Sequence, residues 1–427
     1  MRDVLLGRQS DYLDLDFVLP QGAVETAKAI ARRCKAGFVL LDAERQIARV
    51  VFPQGTADFA AQVGPTLEAD LRRRDFTINA IAYNPHTDQL FDPLQGYADL
   101  QQHRIRMVSP ENLEEDPLRL LRAYRQAAQL GFSLEPQTQS VIRQLAPLLS
   151  RIAAERIQSE LNYLLNNSNG TVWLITAWKD GLLQDWLPSA TGQSLSLLAA
   201  IDQAAVVLKE VWPEFAAELL ERIRNSPKAQ RTESSGPGIR TLADTAITGT
   251  TRNWLTLAKL SSLLPPDLAE AEAQLRRLKY SRNEVQAIHT ILKYLPQLCT
   301  LDKRSPVNLA SSAPEPVDLE RSLRQQCLFF QAVGPTFPAV AVMAIAAGVT
   351  LESISPFLQR FLTPDDPVAH PTPLVSGQDV MALLKLPPGP RIGQLLAEIQ
   401  LARAEGKVTN RQEALQLAAQ LATLDVF

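Results

Sequence analysis

Cysteine, histidine and long apolar stretches are scarce in this chain of 427 residues. Its three cysteines, Cys34, Cys299 and Cys327, lie far apart, so neither a disulfide framework nor a cysteine metal site is expected. The four histidines are scattered, which argues against zinc. No apolar run approaches the roughly 20 residues of a membrane span, and the first residues lack a signal-peptide pattern. We therefore expect a cytoplasmic protein that binds neither zinc nor a membrane.

An excess of charge of one sign is also lacking, because 43 basic residues nearly balance 46 acidic ones and leave a net charge of -3. This balance does not indicate a nucleic-acid-binding protein, but a local basic patch matters more than the sum. Basic stretches occur at residues 72–74, 119–125 and 276–279. Composition therefore leaves the partner open, and the length suits two to four domains.

Two kinds of secondary-structure pattern follow one another along the chain. Strand-like segments occupy residues 13–19, 38–42, 47–52 and 56–61, with helical spacing at 22–34. Amphipathic helices then begin near Asp116, and strands effectively stop. The clearest helices are predicted at 118–130, 137–149 and 154–165, irregular connections at 226–251 and 301–316, and a tight turn at 389–393 before a helix. The predicted fold class is α+β, a small mixed sheet with helices followed by an all-helical region.

An Asp-x-Asp pair lies on the first predicted strand. Because strand side chains alternate, Asp14 and Asp16 point to one face and Leu15 to the other. Two such carboxylates repel unless a cation lies between them, and Mg²⁺ suits these ligands while leaving room for phosphates. An ordinary surface strand would produce the same pair, so the pattern alone does not decide. A third carboxylate usually comes from a neighbouring strand, and Asp58 is placed to supply it unless it simply forms a turn at the strand end.

Three consecutive arginines, Arg72, Arg73 and Arg74, stand before Asp75 in the sequence. A run of arginines is usually a solvated face, but here the apolar segment 76–80 follows and should enter the core. Guanidinium groups match phosphate oxygens, and Asp or Asn can hydrogen-bond a ribose hydroxyl. The block is therefore a candidate for gripping a nucleotide.

The segment 115–119 has a structural and a functional interpretation. An acidic residue before Pro117 is a favoured helix start. Alternatively, the i, i+3 spacing places Asp116 and Arg119 on one helix face. There, Asp can accept from the amine and Arg can donate to the ring acceptor that cytosine and adenine share. Guanine and uracil carry a carbonyl instead of the amine, so such a pair would accept C and A and reject G and U.

The Asp-x-Asp pair, the arginine run and the segment 115–119, in this order, resemble the motifs of the class II tRNA nucleotidyltransferases. These are the CCA-adding enzymes, to which the bacterial poly(A) polymerases are related. The resemblance is strong over residues 1 to about 165 and thin beyond them. It implies four regions: a polymerase-β-like nucleotidyltransferase head at 1–110, a nucleotide-selecting neck at 111–165, a helical body at 166–300 with an exposed linker at 226–251, and an RNA-binding helical tail at 317–427. Within this frame, residues 92–100 resemble the hinge between head and neck, and 155–161 a helix-packing motif.

The resemblance also implies functions for individual residues. Asp14 and Asp16 would hold Mg²⁺ and, together with Asp58, form the catalytic group. Nucleotide binding would involve Arg2, Arg74, Asp75, Asn79, Asp116, Arg119, Arg122 and Arg125. Among these, the segment 74–79 matches the motif that prefers ribose, and 116–119 matches the motif that reads the base.

Two departures from the family pattern refine the expectation. The family has a Gly-Gly pair before the Arg-Asp of Arg2 and Asp3, so we expect that an upstream start was missed and that the chain as written binds nucleotide weakly. The direct passage from Ala61 to Thr66 replaces a longer basic loop that CCA-adding members need for switching to ATP.

The predicted function is therefore addition of two cytidines to the 3′ end of tRNA, with CTP as substrate and ATP only if the full CCA end is made. A poly(A) polymerase is the alternative enzyme, because the head motifs hardly separate the two. A catalytically weak RNA-binding relative is the alternative of another class.

Overall fold

The computed structural model describes residues 1–8, 13–221, 223, 252–302, 319 and 322–423. They form two compact units, one ending at Pro188 and the other beginning at Ser189. The predicted irregular connection at 226–251 and nearly all of the one at 301–316 lie outside the described residues.

The first unit opens with a four-stranded mixed sheet. Its strands are β1 (Leu13–Leu19), β2 (Gly37–Asp42), β3 (Ile47–Phe52) and β4 (Gly55–Ala61), with helix α1 (Arg2–Leu5) before β1 and α2 (Ala23–Cys34) after it. The strand order is β1-β4-β3-β2, with β1 parallel to β4 and the other neighbours antiparallel. The parallel pairing therefore places β1 next to β4, although the two strands are far apart in the sequence.

Helix α2 covers one face of this sheet. Its Ala27 and Ala31 pack with Val50 and Phe59 in a buried apolar cluster. Phe17 extends the same face by stacking on Phe59, with ring centroids 5.0 Å apart. Since strand residues alternate, the positions next to Phe17 and Phe59 face away from the helix.

A series of short elements connects the sheet to the helical part. They are α3 (Leu67–Leu71), a 3-10 turn (Thr77–Asn79), the hairpin strands β5 (Ala82–Asn84) and β6 (Gln89–Phe91), α4 (Gly96–Gln101) and β7 (Arg104–Ile105). Phe76 and Ile78 are fully buried, as the sequence predicts. Gln95 adopts a left-handed conformation at φ 59°, and Asp92 accepts hydrogen bonds from the N–H of Gly96 and of the next residue at 2.7 and 2.9 Å. The hinge-like segment is thus a tight, internally bonded turn.

The rest of the first unit is mainly helical. It comprises α5 (Pro110–Glu115), α6 (Leu118–Leu130), β8 (Ser133–Leu134), α7 (Pro136–Leu145), a 3-10 helix (Ala146–Arg151), α8 (Ala154–Asn166) and α9 (Gly170–Lys179). Helix α6 packs against α8 and α9. Its fully buried Tyr124 donates to Asp180 at 2.6 Å, and Arg143 donates to the same carboxylate. Burial raises the pKa of Tyr124, so its hydroxyl keeps the proton that this hydrogen bond needs.

The described part of the second unit is helical throughout. Its α-helices are α10 (Gly192–Val211), α11 (Pro213–Leu219), α12 (Trp254–Ser261), α13 (Leu268–Arg277), α14 (Arg282–Cys299), α15 (Leu323–Val333), α16 (Phe337–Ala346), α17 (Leu351–Leu362), α18 (Gly377–Leu384), α19 (Pro390–Ala404) and α20 (Arg411–Thr423). Helix α16 is buried along most of its length and packs against α10, α12 and α14. The last three helices share a separate apolar cluster that includes Val380, Leu395 and Ala414.

One apolar segment was underestimated from the sequence. Leu323–Ala346 is long and apolar enough to cross a membrane by length and composition alone, although Gln, Thr and Pro residues interrupt it. In the described structure 67% of its most apolar window is buried inside the protein, as in the core helix of a soluble protein. The expectation that no apolar run approaches spanning length is therefore wrong, but this segment belongs to a protein core.

Most predicted elements agree with the structure, and two need correction. The strand at 47–52 and the helix at 118–130 have the predicted bounds, and α19 begins at the predicted tight turn. The helix predicted at 137–149 ends at Leu145 and continues as a 3-10 helix, where Pro147 lacks the N–H that an α-helical ladder requires. Strands also do not stop before Asp116, because β8 pairs with β7 in parallel.

Candidate functional site

Asp14 and Asp16 lie on the sheet face that points away from α2, as the alternation predicts. Each has a direct neighbour on the parallel strand β4: Asp14 is opposite Thr56 and Asp16 is opposite Asp58. The hydroxyl of Thr56 donates to Asp14 Oδ1 at 2.7 Å. The structure therefore brings all three predicted carboxylates onto one face of two adjacent strands.

The third carboxylate is already engaged within the sheet. Arg49 on β3 donates to both oxygens of Asp58, at 2.7 and 2.8 Å, and both side chains are about one-fifth exposed. No group of three His, Cys, Asp or Glu side chains in metal-binding geometry is found in the described ranges. Among the described residues, neither Asp14 nor Asp16 forms an ion pair with a basic side chain as Asp58 does, and a catalytic function of Asp58 stays a prediction.

The charge environment of Asp16 favours a cation. Surrounding protein removes part of its solvation, and the carboxylates of Asp14 and Asp58 repel it, so the pKa of Asp16 is raised. The positive charge of Arg74 opposes this shift. A divalent ion bound between Asp14 and Asp16 would offset the same repulsion, and carboxylate oxygens are the ligands that Mg²⁺ prefers. The residues present therefore fit a magnesium ion.

Arg74 is held in place by a buried aspartate. Its Nη2 donates to Asp70 Oδ2 at 3.0 Å, while Asp70 Oδ1 accepts from the N–H of Val63 at 2.9 Å. Asp70 is 6% exposed, so the pair fixes the short connection after β4 relative to the arginine. The other two arginines of the run are exposed and pair elsewhere, Arg72 with Glu68 and Arg73 with Glu115.

A chain of polar side chains joins α1, the 3-10 turn and α6. Arg2 Nη1 donates to Asn79 Oδ1 at 2.8 Å, and Asn79 Nδ2 donates to Asp75 Oδ1 at 2.9 Å and to Gln126 Oε1 at 3.0 Å. Asp75 is 6% exposed and its Oδ2 lies 3.1 Å from Arg122 Nη2, an ion pair without hydrogen-bond geometry. Four predicted nucleotide-binding residues are thereby brought together, and the Asp75 oxygen retains capacity for a further donor.

Asp116 terminates α5 and lies just before α6. Its Oδ2 accepts from Arg156 at 2.8 Å, and its Oδ1 accepts from the N–H of Leu118 at 3.3 Å. Desolvation acts to raise its pKa, but the hydrogen bond and charge of Arg156, with smaller contributions from Leu118 and Arg119, lower it overall. The carboxylate is therefore anionic and remains a hydrogen-bond acceptor. The structure supports the helix-start interpretation through Leu118, but it places Asp116 at the end of α5 and not on one helix face with Arg119. Reading of the base by this pair stays a prediction.

Arg119 and Arg125 are held by different partners. Arg119 Nη1 donates to the carbonyl of Asn112 at 2.9 Å. Arg125 donates to buried Glu160 at 2.6 Å and lies over the ring of Tyr163, 5.2 Å from its centroid. Arg125 therefore packs α6 against α8, and its guanidinium is bound more extensively by the protein than its predicted nucleotide-binding function requires.

Four residues around the site were not selected from the sequence. They are Arg49, Asn112, Gln126 and Arg156. Each contacts a predicted site residue that is 7 to 47 positions away. Of these four contacts, only the one between Arg49 and Asp58 could have been anticipated, and only once the pairing of their two strands was known.

Comparison with known proteins gives matches along the whole chain. Three family models match: the poly A polymerase head domain over residues 1–106, the RNA- and SrmB-binding site of polymerase A over 131–193, and domain 2 of tRNA nucleotidyltransferases over 246–419. A CC-adding tRNA nucleotidyltransferase of Synechocystis sp. is 44% identical over 423 residues, covering 99% of this chain and 92% of that protein. An A-adding tRNA nucleotidyltransferase of Deinococcus radiodurans is 33% identical over 433 residues, covering 97% of this chain and 92% of that protein.

Solved structures share the fold. A CCA-adding enzyme in complex with CTP matches with a TM-score of 0.69 at 20% identity, covering 100% of this chain and 89% of that chain. The Thermotoga maritima CCA-adding enzyme complexed with tRNA matches with a TM-score of 0.65 at 20% identity, covering 99% and 89%. The predicted α+β fold class, with a mixed sheet and helices at the N-terminus and an all-helical C-terminal region, is confirmed.

Proposed function

Since this chain belongs to the class II tRNA nucleotidyltransferase and poly(A) polymerase family, we propose that it adds two cytidines to the 3′ end of tRNA and then stops. The identity of 44% to a CC-adding enzyme over 99% of the chain is the observation that carries the proposal. A second CC-adding relative, from Geobacter sulfurreducens, is 32% identical over 98% of the chain.

The short connection between β4 and α3 supports the same product. Its first residues are fixed by two hydrogen bonds, because Gln62 N–H donates to the carbonyl of Leu19 at 2.7 Å and Val63 N–H donates to the carboxylate of Asp70 at 2.9 Å. Gln62 Nε2 also donates to the carbonyl of Gly64 at 3.0 Å. Such a bonded connection of a few residues offers no long segment that could reshape the pocket for ATP after the second cytidine.

We propose that Asp14 and Asp16 hold Mg²⁺, with Asp58 as the neighbouring carboxylate. When bound, the ion would promote ionisation of the 3′-hydroxyl and stabilise the pyrophosphate leaving group. Arg2 and Arg74 supply positive charge for the triphosphate, while Asp75 and Asn79 are placed to hydrogen-bond the ribose.

Base selection is assigned to Asp116 and Arg119, with Arg122 and Arg125 supporting the same helix. An anionic Asp116 accepts from the exocyclic amine of cytosine, and Arg119 donates to the adjacent ring acceptor. Uracil would place a carbonyl against the carboxylate and be rejected.

The exposed free thiol of Cys34 and the free thiols of Cys299 and Cys327 suit a reducing compartment, and we place the enzyme in the cytoplasm.

Product length tests the proposal. Transfer RNA that ends at the discriminator base is incubated with Mg²⁺, CTP and ATP, and the products are resolved at single-nucleotide resolution. Growth by two cytidines is expected. Growth by CCA would exclude a CC-only enzyme, and addition of A only to tRNA that already ends in CC would make it an A-adding enzyme like the Deinococcus relative. Long adenosine tails on unrelated RNA would support a poly(A) polymerase.

A further inference from the structure

The two base-reading side chains do not pair with each other. Asp116, at the end of α5, and Arg119, in the first turn of α6, are three positions apart and carry opposite charges that attract each other. Instead, Asp116 accepts from Arg156 at 2.8 Å, and Arg119 donates to the carbonyl of Asn112 at 2.9 Å. Each member is therefore drawn toward a different partner.

We propose that Arg156 is a positioning residue for base selection, which keeps the carboxylate of Asp116 separate from the guanidinium of Arg119 so that both can face the incoming base. This inference rests on the proposed base-reading function of those two residues. It adds a specificity determinant on α8, a helix whose residues 155–161 otherwise resemble a packing motif.

The position of Arg156 is well suited to this task. It lies on the first turns of α8, where the next residue, Ile157, and also Leu161 are fully buried and fix the helix. Glu160 of the same helix binds Arg125 of α6 at 2.6 Å, so an ion pair joins the two helices next to Arg156. Arg156 itself is half-exposed, and Asp116 is its ion-pair partner. Its guanidinium therefore contributes to Asp116 rather than to the core.

The partner of Arg119 comes from the opposite side. Asn112 is 8% exposed, and its Nδ2 donates to the carbonyls of Arg72 and Arg74 at 2.7 and 2.8 Å. These bonds fix α5 to the arginine run, and the Asn112 carbonyl in turn holds Arg119. Asn112 on α5 and Arg156 on α8 thus restrain the pair from two different helices.

Loss of Arg156 should allow Asp116 and Arg119 to form an ion pair with each other. The Oδ2 of Asp116 would lose its donor while its charge persists, and Arg119, whose positive charge already acts on Asp116, would be available as a partner. Once paired, the carboxylate and the guanidinium hydrogen-bond each other and no longer discriminate between cytosine and uracil. Contacts to ribose and phosphate would remain, so nucleotide would still bind.

The test compares Arg156→Ala and Arg156→Lys with the wild type, using kcat/KM for a single addition of C and of U. The C-over-U ratio should fall by roughly 5- to 100-fold in the Ala variant. The Lys variant should recover a large part of it, since an ammonium group can still hold the carboxylate. In an Arg119→Ala background, Arg156→Ala should change the ratio little, because the group from which Asp116 is kept apart is already gone.

Arg143→Ala is the matched control. Arg143 is also about half-exposed and pairs with an aspartate of the same unit, Asp180, at 2.6 Å. Its loss should reduce thermal stability at least as much as the loss of Arg156 and leave the C-over-U ratio unchanged. A ratio that fell equally in Arg143→Ala would show that Arg156 acts only through general stability.

Two outcomes separate failure of the inference from failure of the proposed function. If Asp116→Ala relaxes selection but Arg156→Ala leaves the ratio intact, Arg156 is not a positioning residue. If neither Asp116→Ala nor Arg119→Ala changes the ratio, base reading by this pair is wrong, and the inference is overturned with it.

Discussion

Asp58 on β4 accepts two hydrogen bonds from Arg49 on β3 and lies directly beside Asp16 on β1. The third acidic side chain of the sheet therefore enters the site with its charge balanced by a neighbour. Asp14 differs, because its hydrogen-bond donor, the hydroxyl of Thr56, is neutral, and Asp16 is repelled by the carboxylates of Asp14 and Asp58. The demand for a cation is concentrated on these two residues.

Replacing either Asp14 or Asp16 with Ala should reduce nucleotide addition by about 100-fold or more, because a metal ligand is lost while the other substrate contacts persist. Binding of tRNA, measured separately by filter retention or anisotropy, should stay near the wild-type value. Asp42→Ala, on β2 of the same sheet, serves as the control. Near-normal turnover in either variant would remove the metal-binding assignment.

Replacing Asp116 or Arg119 with Ala should broaden nucleotide choice as well as slow addition. Each lost contact to the base edge corresponds to about 1–3 kcal/mol of discrimination. The measurement is the kcat/KM ratio for C and U on tRNA without its 3′ end. A variant that melts at a lower temperature yet selects C as strictly as the wild type would leave only the helix-start function for Asp116.

Gly96→Ala should destabilise the first unit by about 1–3 kcal/mol through overpacking. A Cβ at this position would lie 2.2 Å from the carbonyl oxygen of Thr77, in the turn that carries Asn79. Thermal unfolding measures the cost, with Gly393→Ala as a control because no atom lies within 4 Å of its added Cβ. Equal stability of Gly96→Ala and the wild type would show that α4 and the turn can separate freely.

Acid should weaken the start of α18 through Asp379. Backbone hydrogen bonding from Ser376, together with Arg411, lowers the pKa of Asp379 from 3.8 to about 2. Because the folded value lies below the unfolded one, the stabilisation is complete above 3.8 and disappears as the pH falls toward 2. Asp379→Asn should therefore melt below the wild type at pH 6, and the difference should shrink as the pH is lowered past 4. Glu352→Gln, in the first turn of α17, is the control; a pH-independent difference would contradict the linkage.

The features that could be predicted from the sequence are those that residues close together in the chain determine. The alternation around Asp14 and Asp16 and the periodicity of 118–130 are properties of neighbouring residues, so strand face and helix bounds followed from them. Pairing across the sheet does not follow in this way, and the engagement of Asp58 by Arg49 became visible only with the strand order.

The same limit applies to Asp116 and Arg119, the proposed base-reading pair. Arg156 is 40 positions from Asp116, and nothing in either residue's surroundings in the sequence signals the contact. The contacts of Asn112 were equally unpredictable, since its two side-chain hydrogen bonds reach carbonyl groups 40 and 38 positions away. Every residue has a backbone carbonyl, so the sequence does not indicate which one accepts the hydrogen bond. Resemblance to a family predicts which residues form the site, but not which residues hold them in place.

The amide of Asn112 has a geometric consequence for the size of the base. One short side chain fixes the backbone of Arg74, and the carbonyl of the same residue fixes Arg119. Given the proposed functions, Asn112 directly links the phosphate-binding end of the pocket to the base-reading end. A purine carries its amine farther from the sugar than a pyrimidine does, so a pocket of fixed span fits a single-ring base and would have to lengthen for a double-ring one.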